Sequence, residues 1–128
     1  MSEQTPGILI LVDDDTAVLS ALKFAFEVEG FDVRAYANAE SLLSAPGIPD
    51  RGCLVLDYKL PGLNGLQLLR RLRRRGVTLP AVLITTPEPI VVAQAAAADV
   101  PIVEKPLMTS ALLDTVRGLL DAQSSEPR

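Results

Sequence analysis

The sequence predicts a single α/β domain: a doubly wound parallel sheet that helices cover on both faces. Three observations carry this prediction. Short, continuous apolar runs of strand length recur along the chain, the pattern of strands buried on both sides. Helical periodicity fills the intervals between them. The chain has 128 residues, which suits one domain with a substantial core.

Ile8-Leu9-Ile10-Leu11-Val12 reads as the first strand, rich in β-branched residues. A helix follows over roughly Ala17–Glu29, with Val18, Leu22, Ala25 and Phe26 on one side and Gly30 ending it. Phe31–Tyr36 is the second strand, and Asn38 caps a brief helix that Pro46-Gly47 stops. Cys53–Leu56 is the third apolar run, ending at Asp57. Beyond the Pro61–Gly65 turn, Asn64 with Gln67 resembles a capping box, and its helix reaches about Arg75 before Gly76. Ala81–Ile84 follows Pro80 as the fourth strand. An alanine-rich stretch, Ile90–Ala98, is weakly marked, and Ile102-Val103 is a minimal fifth strand. The last helix starts near Thr109, with Leu112, Leu113, Val116, Leu119 and Leu120 as its packed stripe. From Asp121 the chain is polar and is expected to fray. The domain is thus expected over residues 7–122, with a tail at 1–6 and a tail or linker start at 123–128.

Composition narrows the function classes. Apolar residues make up 48%, which excludes a disordered chain, and no run is long enough to span a membrane. The polar, acidic Met1-Ser2-Glu3-Gln4 is not a signal peptide, and the single Cys53 forms no internal disulfide, so a cytoplasmic, reducing setting is expected. With no histidine, His-based acid–base catalysis, His metal ligation and a Ser-His-Asp triad are excluded. A net charge of −4 argues against direct DNA binding by this chain.

Ligands of open parallel sheets bind beyond the carboxyl ends of the strands. Strand 1 ends in Asp13-Asp14-Asp15, strand 3 in Asp57, strand 4 in Thr85-Thr86, and strand 5 leads into Glu104-Lys105-Pro106. Crowded carboxylates require a cation or a raised pKa, and an oxygen-only donor set points to Mg²⁺. Taken singly, each feature has a plainer reading. An Asp run is a solvated loop or a helix cap supplied by Asp15 or Thr16, Thr85 is a β-former, and Lys105 is a solvated loop lysine.

Together, Leu11-Val12-Asp13-Asp14, Leu56-Asp57-Tyr58-Lys59-Leu60-Pro61-Gly62, Thr85 and Lys105-Pro106 resemble the receiver domain of two-component response regulators, most of all its FixJ branch. The likeness covers about Gly7 to Ala122. It implies a flavodoxin-like sheet of order 2-1-3-4-5 and a phosphoacceptor role for Asp57. It further implies a metal site of Asp13, Asp14, Asp57 and the Lys59 backbone carbonyl, holding Mg²⁺ with Mn²⁺ as a substitute. Thr85 and Lys105 would meet the phosphoryl group. The implied partners are a sensor histidine kinase or phosphotransfer protein, and an output partner or second copy at the helix 4–strand 5–helix 5 face. Catalysis would be limited to slow self-dephosphorylation.

The sequence departs from that family in three places. Ile102 occupies the position where the family carries Tyr or Phe. Thr85 and Lys105 lie 20 residues apart, two fewer than in familiar receivers, and Pro87 and Pro89 fall inside the gap. A short or atypical helix 4 is therefore expected, either as a partner-contact surface or as simple burial. Third, Thr86 stands where Ala or Gly is usual. The arginine run Arg70-Arg71-Leu72-Arg73-Arg74-Arg75 reads as cations opposing a helix dipole. Two alternatives stay open. One is a pseudo-receiver that acts without phosphorylation. The other is a haloacid-dehalogenase-type phosphohydrolase using Asp13 and Asp15 of strand 1. Dinucleotide binding is disfavoured, because acids and not a Gly-rich turn follow strand 1.

Overall fold

The computed structural model describes residues 7–105 and 109–125. The strands are β1 (Ile8–Val12), β2 (Asp32–Tyr36), β3 (Cys53–Asp57), β4 (Ala81–Thr85) and β5 (Ile102–Glu104). The helices between and after them are α1 (Thr16–Val28), α2 (Ala39–Leu43), α3 (Gly65–Arg74), α4 (Pro89–Ala97) and α5 (Thr109–Ser125). All strand pairs are parallel, in the order β2-β1-β3-β4-β5. The expected doubly wound architecture is therefore present.

Strand periodicity divides the core into two layers. Ile10, Val12, Leu54, Leu56 and Leu83 pack against Leu42 of α2, Leu66, Leu68, Leu69 and Leu72 of α3, and Val91 and Ala95 of α4. Leu9, Leu11, Val55, Val82 and Ile84 pack against Leu19, Leu22 and Phe26 of α1 and Leu112 and Val116 of α5. Each fully buried leucine contributes about 1.5–3 kcal/mol. Continuous apolar runs are what a sheet covered on both faces requires. Cys53 lies in the second layer, and burial pushes its thiol up to about 12. The group is held as an unreactive thiol.

The helix ends follow local chemistry. Asp15 caps α1: its Oδ1 accepts from the amides of Ala17 (3.0 Å) and Val18 (3.2 Å). This decides between Asp15 and Thr16. Asn38 caps α2 through the Ser41 amide at 2.8 Å. Asn64 and Gln67 form the reciprocal capping box of α3, at 2.8 and 2.9 Å. At the other end of α3, the Arg73 guanidinium donates to the carbonyls of Val77 (3.0 Å) and Leu79 (2.7 Å). These bonds tie α3 to the loop that follows it, while Arg71, Arg73 and Arg74 stand in its last turn, as the dipole reading anticipates.

The structure corrects three details. Leu19, absent from the expected face of α1, is buried there. Helix α4 begins at Pro89, one residue before the weakly marked stretch. It has 9 residues against 13, 10 and 17 in α1, α3 and α5, with Val91 and Ala95 buried while Ile90 and Val92 are exposed. Helix α5 does not fray at Asp121 but continues to Ser125. A long-range tie extends it: Gln123 accepts from the Gly52 amide at 3.2 Å and donates to the Asp50 carbonyl at 3.5 Å. Sequence periodicity has no access to such a contact. Pro106, and hence the isomer of the Lys105–Pro106 bond, lies outside the described residues, as do 1–6 and 126–128. Among the described residues, no helix is long and apolar enough to cross a membrane.

The start of α3 is built against the end of β3. The Gly65 amide donates to the Tyr58 carbonyl at 2.8 Å. A Cβ on Gly65 would stand 2.5 Å from the Asp57 carbonyl oxygen and 2.9 Å from a Leu83 methyl. Only glycine permits that approach. Gly65→Ala is predicted to cost about 1–3 kcal/mol by overpacking, lowering the melting midpoint by several degrees. Thermal melts of both proteins check this, and an unchanged midpoint contradicts the packing.

Candidate functional site

Topology brings the site together. β1 lies between β2 and β3, where the connections reverse direction and an open sheet leaves its crevice. Val12 pairs with Leu56, so the next residues on these adjacent strands, Asp13 and Asp57, emerge side by side. Asp13 is 1% and Asp57 3% exposed. Asp14, which is exposed, completes a group in which one carboxylate oxygen from each residue lies within 4.8 Å of the other two.

Lys105 reaches the same place from the end of β5. Its backbone amide donates to the Thr85 carbonyl at 3.0 Å, fixing the loop beside β4. Its Nζ stands 3.3 Å from Asp57 Oδ2 and 3.8 Å from Asp13 Oδ2. Thr85 is buried at the end of β4, and its hydroxyl donates to the Thr86 carbonyl at 3.3 Å. The Lys59 amide donates to Asp57 Oδ1 at 3.3 Å, which orients that carboxylate. Asp13, Asp14, Asp57 and Lys105 are therefore brought together as expected, with Thr85 at the adjoining strand end.

One ammonium does not balance these carboxylates. Burial pushes the Asp13 carboxyl up from 3.8 to about 6. The Asp15 amide, donating to Oδ1 at 2.9 Å, opposes that rise, the Asp57 charge adds to it, and Lys105 opposes it. Asp13 Oδ2 is buried without a hydrogen-bond partner among the described residues. A buried, oxygen-only donor set with excess negative charge and an unmatched acceptor suits a small divalent cation. By contrast, the carboxylate of Asp15 is engaged in capping α1.

Two contributors escape sequence reasoning. Gly65 permits the close approach of α3 to Asp57, yet reads in the sequence as one more turn residue. The Tyr58 hydroxyl accepts from Asn64 Nδ2 and donates to Gln94 Oε1, both at 3.4 Å. Nothing in the one-dimensional pattern signals a link from that turn to α4.

The Asp13 shift gives a pH prediction. Its carboxyl binds its proton more tightly in the folded than in the unfolded chain. Without a bound cation, this group favours folding below about pH 4 and that contribution is lost as pH rises through about 6. Asp13→Asn is therefore predicted to match the wild type near pH 4 and to be more stable by up to about 3 kcal/mol above pH 7. Urea unfolding in chelator across this range is the check, and a pH-independent difference contradicts it.

Comparison with known proteins agrees with this geometry. The profile of the family "Response regulator receiver domain" matches residues 9–117. The transcriptional regulatory protein FixJ of Azorhizobium caulinodans is 35% identical over 123 residues, covering 92% of this chain and 57% of that protein. The chain thus spans little more than half of that relative's length, and 40% of the FixJ of Bradyrhizobium diazoefficiens. Among solved structures, full-length FixJ from B. japonicum superposes with a TM-score of 0.85 at 26% identity, over 95% of this chain and 61% of that one. A CheY-like receiver domain protein from Methanospirillum hungatei gives the same TM-score at 26% identity, over 94% and 98%. With its sheet order, its strand-end acids and these matches, the chain belongs to the response regulator receiver domain family.

Proposed function

We propose that this receiver domain accepts a phosphoryl group on Asp57 from the phosphohistidine of a sensor histidine kinase or phosphotransfer protein. The observation that carries the reading is the placement of Asp57: buried, oriented by the Lys59 amide, and within 3.3 Å of the Lys105 ammonium. In the reaction an Asp57 carboxylate oxygen forms a bond to phosphorus as the P–N bond to the donor imidazole breaks. The imidazole leaves with the electron pair and takes up a proton on the partner. Such transfer needs positioning and charge neutralisation more than bond chemistry from the acceptor.

The residues divide that work. Lys105 neutralises charge growing on the phosphoryl oxygens. The Thr85 hydroxyl turns from the Thr86 carbonyl to donate to one of them. Asp13, Asp14, Asp57 and the Lys59 carbonyl would hold Mg²⁺, or Mn²⁺ in its place. When bound, the ion supplies electrostatic stabilisation of transferring phosphoryl charge. The bulk of Thr86 and Pro87, which follow Thr85 at the end of β4, would slow access of water to Asp57 and so favour slow self-dephosphorylation. The setting is cytoplasmic, and the phosphorylated domain acts through an output partner or a second copy at the α4–β5–α5 face, where Ile90 and Val92 are exposed.

Exposure to a small phosphodonor with Mg²⁺ tests this. Intact mass should rise by one phosphoryl group in the wild type, hydroxylamine should remove it, and Asp57→Asn should stay unmodified. Chelator or Asp13→Asn should slow modification at least tenfold. A phosphoryl group retained by Asp57→Asn would move the nucleophile to strand 1. A wild type that stays unmodified with both donor and kinase would leave the phosphorylation-independent module.

A further inference from the structure

We infer that Tyr58 is the residue through which this domain couples its phosphoacceptor turn to α4. This deepens the receiver reading and rests on it. Tyr58 is bonded covalently to Asp57, and its side chain reaches α4. Its backbone is held on both sides: the amide donates to the Ile84 carbonyl at 3.1 Å, and the carbonyl accepts from the Gly65 amide at 2.8 Å. A shift of the Asp57–Tyr58 peptide is therefore passed to the side chain and not absorbed by a loose loop.

The half-buried ring packs against the core layer that contains Val91 and Ala95 of α4. Its hydroxyl bridges two helices, accepting from Asn64 Nδ2 at the α3 cap and donating to Gln94 Oε1 within α4, each at 3.4 Å. One donated and one accepted bond match what a phenol hydroxyl offers. The next residue adds a second tie, since Lys59 Nζ stands 3.7 Å from Oε2 of Glu88, the N-cap of α4. Both residues that follow Asp57 thus reach the α4 unit.

Helix α4 is an element that such ties can control. Only Val91 and Ala95 are buried, its N-terminus has no side-chain cap, and Asp99 just beyond it holds a left-handed φ of 59°. A helix so lightly anchored lies at the low-stability end of a fold and moves for a small free-energy change. In the unmodified domain the Tyr58 hydroxyl latches α4. Charge added at Asp57 displaces the 57–58 peptide and releases it.

Hydrogen exchange on the full chain tests the latch with Tyr58→Phe, which keeps the ring, and Gln94→Met, which keeps the helix former. Without a phosphodonor, each single variant should exchange its α4 amides roughly two- to tenfold faster than wild type, as expected for loss of one net hydrogen bond. The double variant should add nothing further, and β1 amides should be unchanged. Wild-type α4 rates in Tyr58→Phe, additive effects, or equal acceleration in β1 would overturn the latch. With phosphodonor and Mg²⁺, wild-type α4 exchange should rise to the Tyr58→Phe level, while that variant should gain a phosphoryl group without further acceleration. A wild type that is modified with no change in α4 would overturn the coupling alone. A wild type that takes no phosphoryl group would overturn the receiver chemistry, whatever the unmodified comparison shows.

Discussion

Asp13 and Asp57 are buried at neighbouring strand ends with one partly exposed ammonium, Lys105, between them. Removing two carboxylates from water costs several kcal/mol for each ion unless partners replace the solvent. Here the replacement is incomplete: Asp57 has the Lys59 amide and Lys105, whereas one oxygen of Asp13 has no hydrogen-bond partner among the described residues. The site is thereby poised to take up positive charge. Much of the remaining structure serves to hold this unfavourable arrangement in place.

The holding begins with the order of the strands. Because β1 pairs with β3, and β3 with β4, residues distant in sequence leave the sheet at one edge. The two apolar layers make these strands rigid, so a carboxylate at a strand end cannot retreat into solvent without unpacking the core. The β3–α3 turn is fixed by the Asn64–Gln67 capping box on one side and by Gly65 against the Asp57 carbonyl on the other. Rigidity at β3 and light anchoring at α4 are complementary.

The central strands were legible because burial on both faces leaves an unbroken apolar run, and β1 and β3 match their runs. The caps Asn38 and Asn64 were legible for a local reason: a side chain bonds an amide three residues on. The grouping of the candidate site residues was legible through position, since acids, a hydroxyl and a lysine stood at strand ends, while their roles came from the resemblance to receiver domains. What failed was non-local. The last turn of α5 depends on Gln123 meeting the Asp50–Gly52 segment, so polar composition misread it as fraying. Whether Asp15 or Thr16 caps α1, the unmatched oxygen of Asp13, and the reach of Tyr58 to Gln94 are facts of three-dimensional placement.

If a divalent ion relieves the buried carboxylates, it must also stabilise the fold. The most direct test is the wild-type melting midpoint at pH 7.5 and constant ionic strength, with Mg²⁺ replacing monovalent salt. At about tenfold excess over its dissociation constant, Mg²⁺ is predicted to stabilise the fold by about 1.4 kcal/mol, raising the midpoint by roughly 3–6 °C. A midpoint indifferent to Mg²⁺ across the millimolar range would contradict the claim that the strand-end acids form a cation site.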